Sequence, residues 1–192
     1  MAGSIGFAPV EHYVAGLSCK LAALSYGFWM TTSHDRAGET GIDVAEAVHR
    51  DVVTRQVSRG VGRLVRALGF ASINELPLPN GRRADVVALS ASGDIWIIEV
   101  KSSVEDFRAD QKWPEYRDFS DQLYFAVAPD FPVDILPADT GLILADRFGG
   151  EIVRPSPEAR LPPARRKSMT LRFARSAALA LQTVMDPSHE NS

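Results

Sequence analysis

Two acids and a lysine stand out by type and position: Asp85 heads one apolar run, and Glu99 and Lys101 close the next. The runs Asp85 to Leu89 and Ile95 to Val100 are rich in β-branched residues, and the five-residue loop between them, Ser90 to Asp94, contains Gly93. Such a stretch reads as a β-hairpin. Side chains alternate along a strand, which puts Ile95, Ile97, Glu99 and Lys101 on one face and Trp96, Ile98 and Val100 on the other. Folded symmetrically about Ser92, the hairpin sets Asp85 opposite Glu99, at roughly 4.5–5.5 Å between Cβ atoms. Two carboxylates that close among apolar neighbours repel, and a hard divalent cation with oxygen ligands relieves the repulsion. Lys101 adds a positive charge on the same face. Metal-assisted phosphodiester hydrolysis requires such a group. The plain alternative is a pair of solvated strand ends in which Glu99 and Lys101 merely pair. Against it, Ile95–Ile98 is apolar on both faces, the pattern of a central strand.

The elements around the hairpin follow from period and punctuation. A helix is expected from about Asp43 to Leu68, with Val57, Val61, Leu64, Val65 and Leu68 on one side and Gly69 as its cap. Arg55, Arg59, Arg63 and Arg66 fall on the opposite side with no acid among them, either a solvated face or a phosphate-contacting stripe. Phe70 to Leu78 reads as a strand holding Glu75, ended by Pro77, Pro79 and the Asn80-Gly81 turn. After Lys101, Ser103 caps a short helix to Lys112, with Asp106 three residues on, and Pro114 opens a second helical piece. Gln122 to Ala128 is a further strand. Gly141 to Ala145 and Glu151 to Arg154 form a second hairpin around Phe148-Gly149-Gly150, and Arg165 to Met185 is a closing helix. This order describes an α/β domain built on a mixed sheet.

Composition bounds the rest. A chain of 192 residues, 45% hydrophobic and 23% charged, suits one globular domain. Residues 1–42 read as a poorly determined extension, 43–186 as the domain and 187–192 as a tail. The net charge of −3 hides an asymmetry: Arg154 to Arg175 holds seven Arg or Lys against one Glu, while acids dominate Asp94 to Asp121. One cysteine, Cys19, excludes an internal disulfide and a Cys-cluster zinc site and fits a reducing cytoplasm. The apolar stretch Val14 to Met30 is interrupted by Lys20 and by Gly and Ser, so neither a membrane span nor a secretory signal is expected. His12, His34, His49 and His189 lie far from the hairpin and suggest no catalytic arrangement.

The strings GRRADVVAL, IWIIEVKSSVEDFRAD, KWPEYRDFSDQLYFAV and PARRKSMTLRFAR resemble MmcB-related bacterial DNA repair proteins over about residues 55–178. More broadly, a helix–strand–strand–strand–helix–strand order with an acid opening the second strand and E-x-K in the third resembles the PD-(D/E)XK, or restriction-endonuclease-like, superfamily. The resemblance implies a nuclease-like core with an added C-terminal hairpin and helix, and a role in DNA repair linked to damage-induced mutagenesis. Asp85, Glu99 and Lys101 fall on the signature positions. Ala84 stands where the signature has proline, and no acid occurs between Asp51 and Glu75, although many members carry a helix glutamate near the place Ser58 holds. Either a ligand is missing or Glu75 substitutes.

The implied reading is a Mg²⁺- or Mn²⁺-dependent DNA endonuclease. Its rivals are a DNA-binding accessory with the same fold but no turnover, and a protein-interaction adaptor. In the enzyme reading Asp85, Glu99 and the Val100 carbonyl hold the metal with waters, and Lys101 orients the attacking water. Lys112 touches a non-bridging oxygen or is simply solvated. Trp113 and Tyr116 stack on a displaced base or pack their helix onto the sheet. Arg82, Arg83, Arg165, Arg166, Lys167, Arg172 and Arg175 join the helix arginines as DNA contacts, with weak sequence preference. Repair or polymerase partners and a cytoplasmic, nucleoid-associated location accompany that reading. The change in composition after Met30 suggests that residue as the natural start. Intact mass of the native gene product should show a chain beginning there, and a product beginning at Met1 overturns the expectation.

Overall fold

The computed structural model describes residues 44–186, so the expectations for the N-terminal extension, Met30, Cys19, the tail and three of the four histidines lie outside the described residues. The chain runs α1 (Val44–Ala67), β1 (Ala71–Pro77), β2 (Arg83–Leu89), β3 (Ile95–Lys101), α2 (Val104–Ala109), a 3-10 helix (Trp113–Phe119), β4 (Gln122–Val127), a 3-10 turn (Val133–Ile135), β5 (Gly141–Ala145), β6 (Gly150–Arg154) and α3 (Pro163–Met185). The six strands form one mixed sheet in sequence order, antiparallel at β1–β2–β3 and β5–β6 and parallel at β3–β4–β5.

Helices cover both faces. Val57, Val61 and Val65 of α1, one turn apart, pack on Val86, Ala88, Ile98, Val100, Tyr124, Ala126 and Ile143. Met169 and Phe173 of α3, with Tyr116 of the 3-10 helix, cover Leu76, Ala84, Val87, Ile95, Ile97 and Leu123 on the other side. β3 and β4 are therefore buried on both faces, as parallel central strands are. Gly69 ends α1 with φ +84°, its N–H donating to Arg66 and that of Phe70 donating to Val65, the paired bonds of a Schellman cap. Leu68 lies past the helix end and is half exposed, so it does not join the apolar side expected of it.

A buried ion pair ties α3 to the sheet. Asp121 accepts from the amides of Ile95 and Leu161 and from both terminal nitrogens of Arg166, at 2.6–2.9 Å. Arg166 also donates to the Gly93 carbonyl. Together these bonds join the β2–β3 loop, the start of β4 and the start of α3, and they hold the Asp121 carboxyl below its ordinary range against the opposing effect of burial.

On the opposite side, α1 rides against the β5–β6 turn at Gly60, where an added Cβ would collide with the carbonyls of Asp146 and Gly149. Gly60→Ala should cost about 1–3 kcal/mol by overpacking. Gly62→Ala, in the same helix with open space around it, should be neutral or stabilising by up to about 1 kcal/mol. Urea denaturation of both variants checks this, and equal effects would sink the packing account.

Candidate functional site

The register of the central hairpin is the one its symmetry demands: Val86 faces Ile98, Val87 faces Ile97 and Leu89 faces Ile95. The ladder then stops. In place of the next rung, Asp85 Oδ2 accepts from the Val100 amide at 2.8 Å, and the Asp85 amide donates to Glu99 Oε1 at 3.3 Å. Each acid thus satisfies a backbone N–H on the other's side of the gap, which seats the two side by side.

Strict alternation, as expected for β2, fails at this rung. Ala84 and Val87 pack on the α3 side, while Val86 and Ala88 pack on the α1 side. In β1, Ile73 and Leu76 both belong to the α3 side. Glu75, between them, has φ +56°, an αL conformation that is costly for a non-glycine residue. The β1–β2 pairing likewise skips from Asn74–Val86 to Leu76–Ala84, so the irregular rung is Glu75 with Asp85. Backbone strain is concentrated beside the acids.

Lys101 is 4% exposed and Glu99 3%, yet both line a cavity of about 490 Å³ together with Asp85 and Val100. The Lys101 ammonium lies 2.6 Å from Asp110 Oδ2 and 4.0 Å from Glu99 Oε2. Asp110 is itself held by the Lys112 amide at 2.9 Å. Burial would lower the Lys101 pKa, but the Asp110 hydrogen bond and the surrounding carboxylates raise it above its usual value. Burial pushes Asp85 up despite the Val100 bond and Lys101. It pushes Glu99 up to about 8, with the Asp85 charge adding to the effect. With no cation between the acids, burial and the Asp85 charge thus favour the protonated form of Glu99.

The cavity also brings in residues that sequence reasoning missed. Arg50, Asp51 and Thr54 of α1 line it, as do Asp106 and, bonded to Lys101, Asp110. Arg50 and Thr54 are four apart and so share a helix face, a signal that was readable. Asp110 follows a helix of only six residues, and nothing local marks it as the partner of Lys101. The Arg50 Nε is buried with no hydrogen-bond partner, a donor without an acceptor in this wall. A second cavity of about 440 Å³ shares Asp85 and Thr54 and runs along Arg55, Ser58, Arg59, Asn74 and Glu75.

The other expected residues divide sharply. Arg55, Arg59 and Arg66 are exposed and, among the described residues, unpaired; so are Lys167 and Arg175. Arg63 instead donates to the carbonyls of Arg147 and Phe148. Arg82 is locked to Glu115 through two bonds, and Arg83 pairs with Glu75 at 3.4 Å. Arg165 pairs with Asp118, Arg166 is consumed by Asp121, and Arg172 donates to the Pro77 carbonyl. Lys112 is exposed, lies between α2 and the 3-10 helix, and does not line the cavity. Tyr116 is buried, its hydroxyl donating to the Arg83 carbonyl. Trp113 packs edge-on against Phe125, with Arg117 over its ring. Both rings thus take part in packing, and Tyr116 also lines the cavity that holds Asp85 and Glu99.

A mixed six-stranded sheet flanked by helices, with an acid–acid–lysine cleft at the end of its central strand, is the class of protein that this arrangement defines. The sequence model described as "DNA repair protein MmcB-like" matches residues 44–188, and the chain belongs to that MmcB-like family. Membership points to a role in DNA repair and so to interaction with DNA. Among solved structures, a protein of unknown function from Silicibacter pomeroyi is similar, at 45% identity and TM-score 0.69, over 72% of this chain and 95% of that one. No curated protein matches. Among the described residues no helix is long and apolar enough to cross a membrane.

The raised Glu99 pKa fixes a sign. Folding favours its protonated form, so in metal-free protein it lowers stability as pH rises from about 4.5 to about 8. The slope is at most about 1.4 kcal/mol per pH unit. Glu99→Gln should remove that loss, gaining on the wild type toward pH 8 in denaturation with chelator present. Parallel pH profiles for the two proteins would refute the buried, protonated Glu99.

Proposed function

We propose that this MmcB-like protein is a metal-dependent DNA endonuclease of the PD-(D/E)XK type, acting on damaged or branched DNA. The carrying observation is the seating of Asp85 and Glu99 beside Lys101 in an accessible cleft. Asp85 and Glu99 supply hard oxygen donors and Val100 lines the same wall, a donor set that suits Mg²⁺ or Mn²⁺ completed by water. Among the described residues no group of three or more His, Cys, Asp or Glu converges on a metal position, so two carboxylates would carry the ion. Glu75, exposed and paired with Arg83, would enter only by leaving that pair. When bound, the ion supplies an acidified water and polarises the scissile phosphate.

The chain's own residues do the rest. Glu99 must give up its proton as a cation enters, which couples metal uptake to pH. Lys101 has three N–H donors; one holds Asp110, leaving others for a water or a phosphate oxygen. Asp110 keeps that ammonium charged and aimed. Arg50, with its unpartnered Nε, and Thr54 offer donors to a phosphate from α1. Arg55, Arg59 and Arg66 attract the DNA backbone along the crest of α1. The accessory reading, DNA binding without turnover, draws on one specific feature: among the described residues the acids of the cleft do not gather three or more on one metal position. Repair or polymerase partners and a place at the nucleoid go with either reading.

Cleavage of forked, gapped and single-stranded DNA with Mg²⁺ or Mn²⁺, measured together with bound metal and DNA affinity, separates the readings. Asp85→Ala and Glu99→Ala should abolish cleavage and metal uptake while binding persists or tightens, and Arg50→Ala should weaken DNA binding with metal uptake intact. A wild type that binds DNA but never nicks it leaves the accessory role; one that binds no DNA at low salt defeats both.

A further inference from the structure

The β5–β6 turn holds an aromatic ring in solvent on an unusually well-fastened backbone. Phe148 is 68% exposed. Its amide and that of Gly149 both donate to Asp146 Oδ1, at 2.7 and 3.1 Å, and the Asp146 amide donates to the Gly149 carbonyl at 2.9 Å. From α1, Arg63 donates to the carbonyls of Arg147 and Phe148 at 2.6 and 3.1 Å. Gly60 lets the turn sit directly on the helix. An isolated exposed apolar residue is ordinary. Here, however, the tip is tied against the helix that also lines the acid cleft, and the ring itself joins no core cluster.

Its surroundings are cationic. The Arg147 guanidinium lies over the ring, 4.5 Å from its centroid. Arg59 and Arg66 stand on the same outward crest of α1 with no partner among the described residues. Asp146, in the same turn, is occupied by the turn amides, which hold its carboxyl below the usual range. An exposed ring on a fastened backbone, with Arg147 over it and the unpaired Arg59 and Arg66 one helical turn either side of Arg63, fits a ligand that offers both flat apolar faces and regularly spaced negative charges. A single-stranded nucleic acid is such a ligand.

We infer that Phe148, with Arg147, is a stacking platform for an unpaired base of single-stranded DNA whose phosphates follow Arg59 and Arg55 along α1 toward the acid cleft, with Arg66 on the far side of the turn. This rests on the DNA-binding reading above and adds to it the form of DNA that the surface selects. Along a helix the rise is about 1.5 Å per residue. From Thr54 in the cleft wall to Arg63 beneath the turn is thus roughly 14 Å, the reach of a few nucleotides.

The test uses the full chain, a fluorescein-labelled mixed-sequence single strand, and an abasic strand of equal length, titrated at several salt concentrations. Phe148→Ala should weaken binding of the base-containing strand about 5- to 150-fold, the range expected for losing one base–aromatic stack. It should leave the salt slope and the abasic strand unchanged, and Phe148→Trp should retain the affinity. Equal binding by wild type and Phe148→Ala, or equal weakening on both strands, overturns the platform while leaving DNA binding in place. If the wild type binds neither strand at low salt, the DNA-binding reading falls and this inference with it.

Discussion

Seating two carboxylates together in a nonpolar part of a sheet is the constraint on which the rest of this structure turns. Neither acid could be ionised there without help, and the fold supplies help in three forms. Backbone amides of Val100 and Asp85 bind the carboxylate oxygens. A buried ammonium, Lys101, sits within reach of Glu99. What remains is met by a proton, since burial and the Asp85 charge raise Glu99 to about 8. Burial, the neighbouring charge and the backbone strain beside them make this acid pair the most perturbed part of the sheet, the kind of place where functional groups gather.

The strain spreads to the neighbouring strand. Glu75 takes an αL conformation at the rung beside Asp85, and both β1 and β2 lose their alternation there. Asp85, at this irregular rung, borders both cavities. Asp110 hydrogen-bonds Lys101 and, with the neighbouring carboxylates, outweighs the lowering effect of burial on its pKa. The cleft therefore combines a displaceable proton with a fixed positive charge, a pairing suited to an anionic substrate that arrives with a cation.

Packing also sorts the basic residues. Long cationic side chains look alike in a sequence, but Arg166 and Arg82 are spent in bidentate pairs with Asp121 and Glu115, and Arg63 fastens a turn. Such pairs leave little charge for a polyanion. Among the described residues no acid from another element pairs with Arg55, Arg59 or Arg66 on the outward crest of α1, and that crest runs from the cleft to the β5–β6 turn. In an MmcB-like DNA repair protein, these arginines, like Lys167 and Arg175, keep their charge exposed.

Local chemistry explains what could be read from the residues in order. Period, turn residues and caps act over a few positions, so α1, the three antiparallel strands, Ser103 as a cap and the Asp85–Glu99 register were all legible before any coordinates. The hairpin needs only five loop residues to bring its acids together. Residues meeting from distant segments were not legible: Asp110 on Lys101, Arg50 and Thr54 in the cleft, Asp121 inside the grip of Arg166. Nor was the αL turn of Glu75, which no side-chain pattern announces. The amino-acid order by itself determined which chemical groups lie on the central hairpin and in what register, because a short loop leaves them no other partner. The tertiary structure alone decided which charges stay free, which are neutralised and where the sheet opens, because those outcomes depend on what the packing of remote helices places beside them.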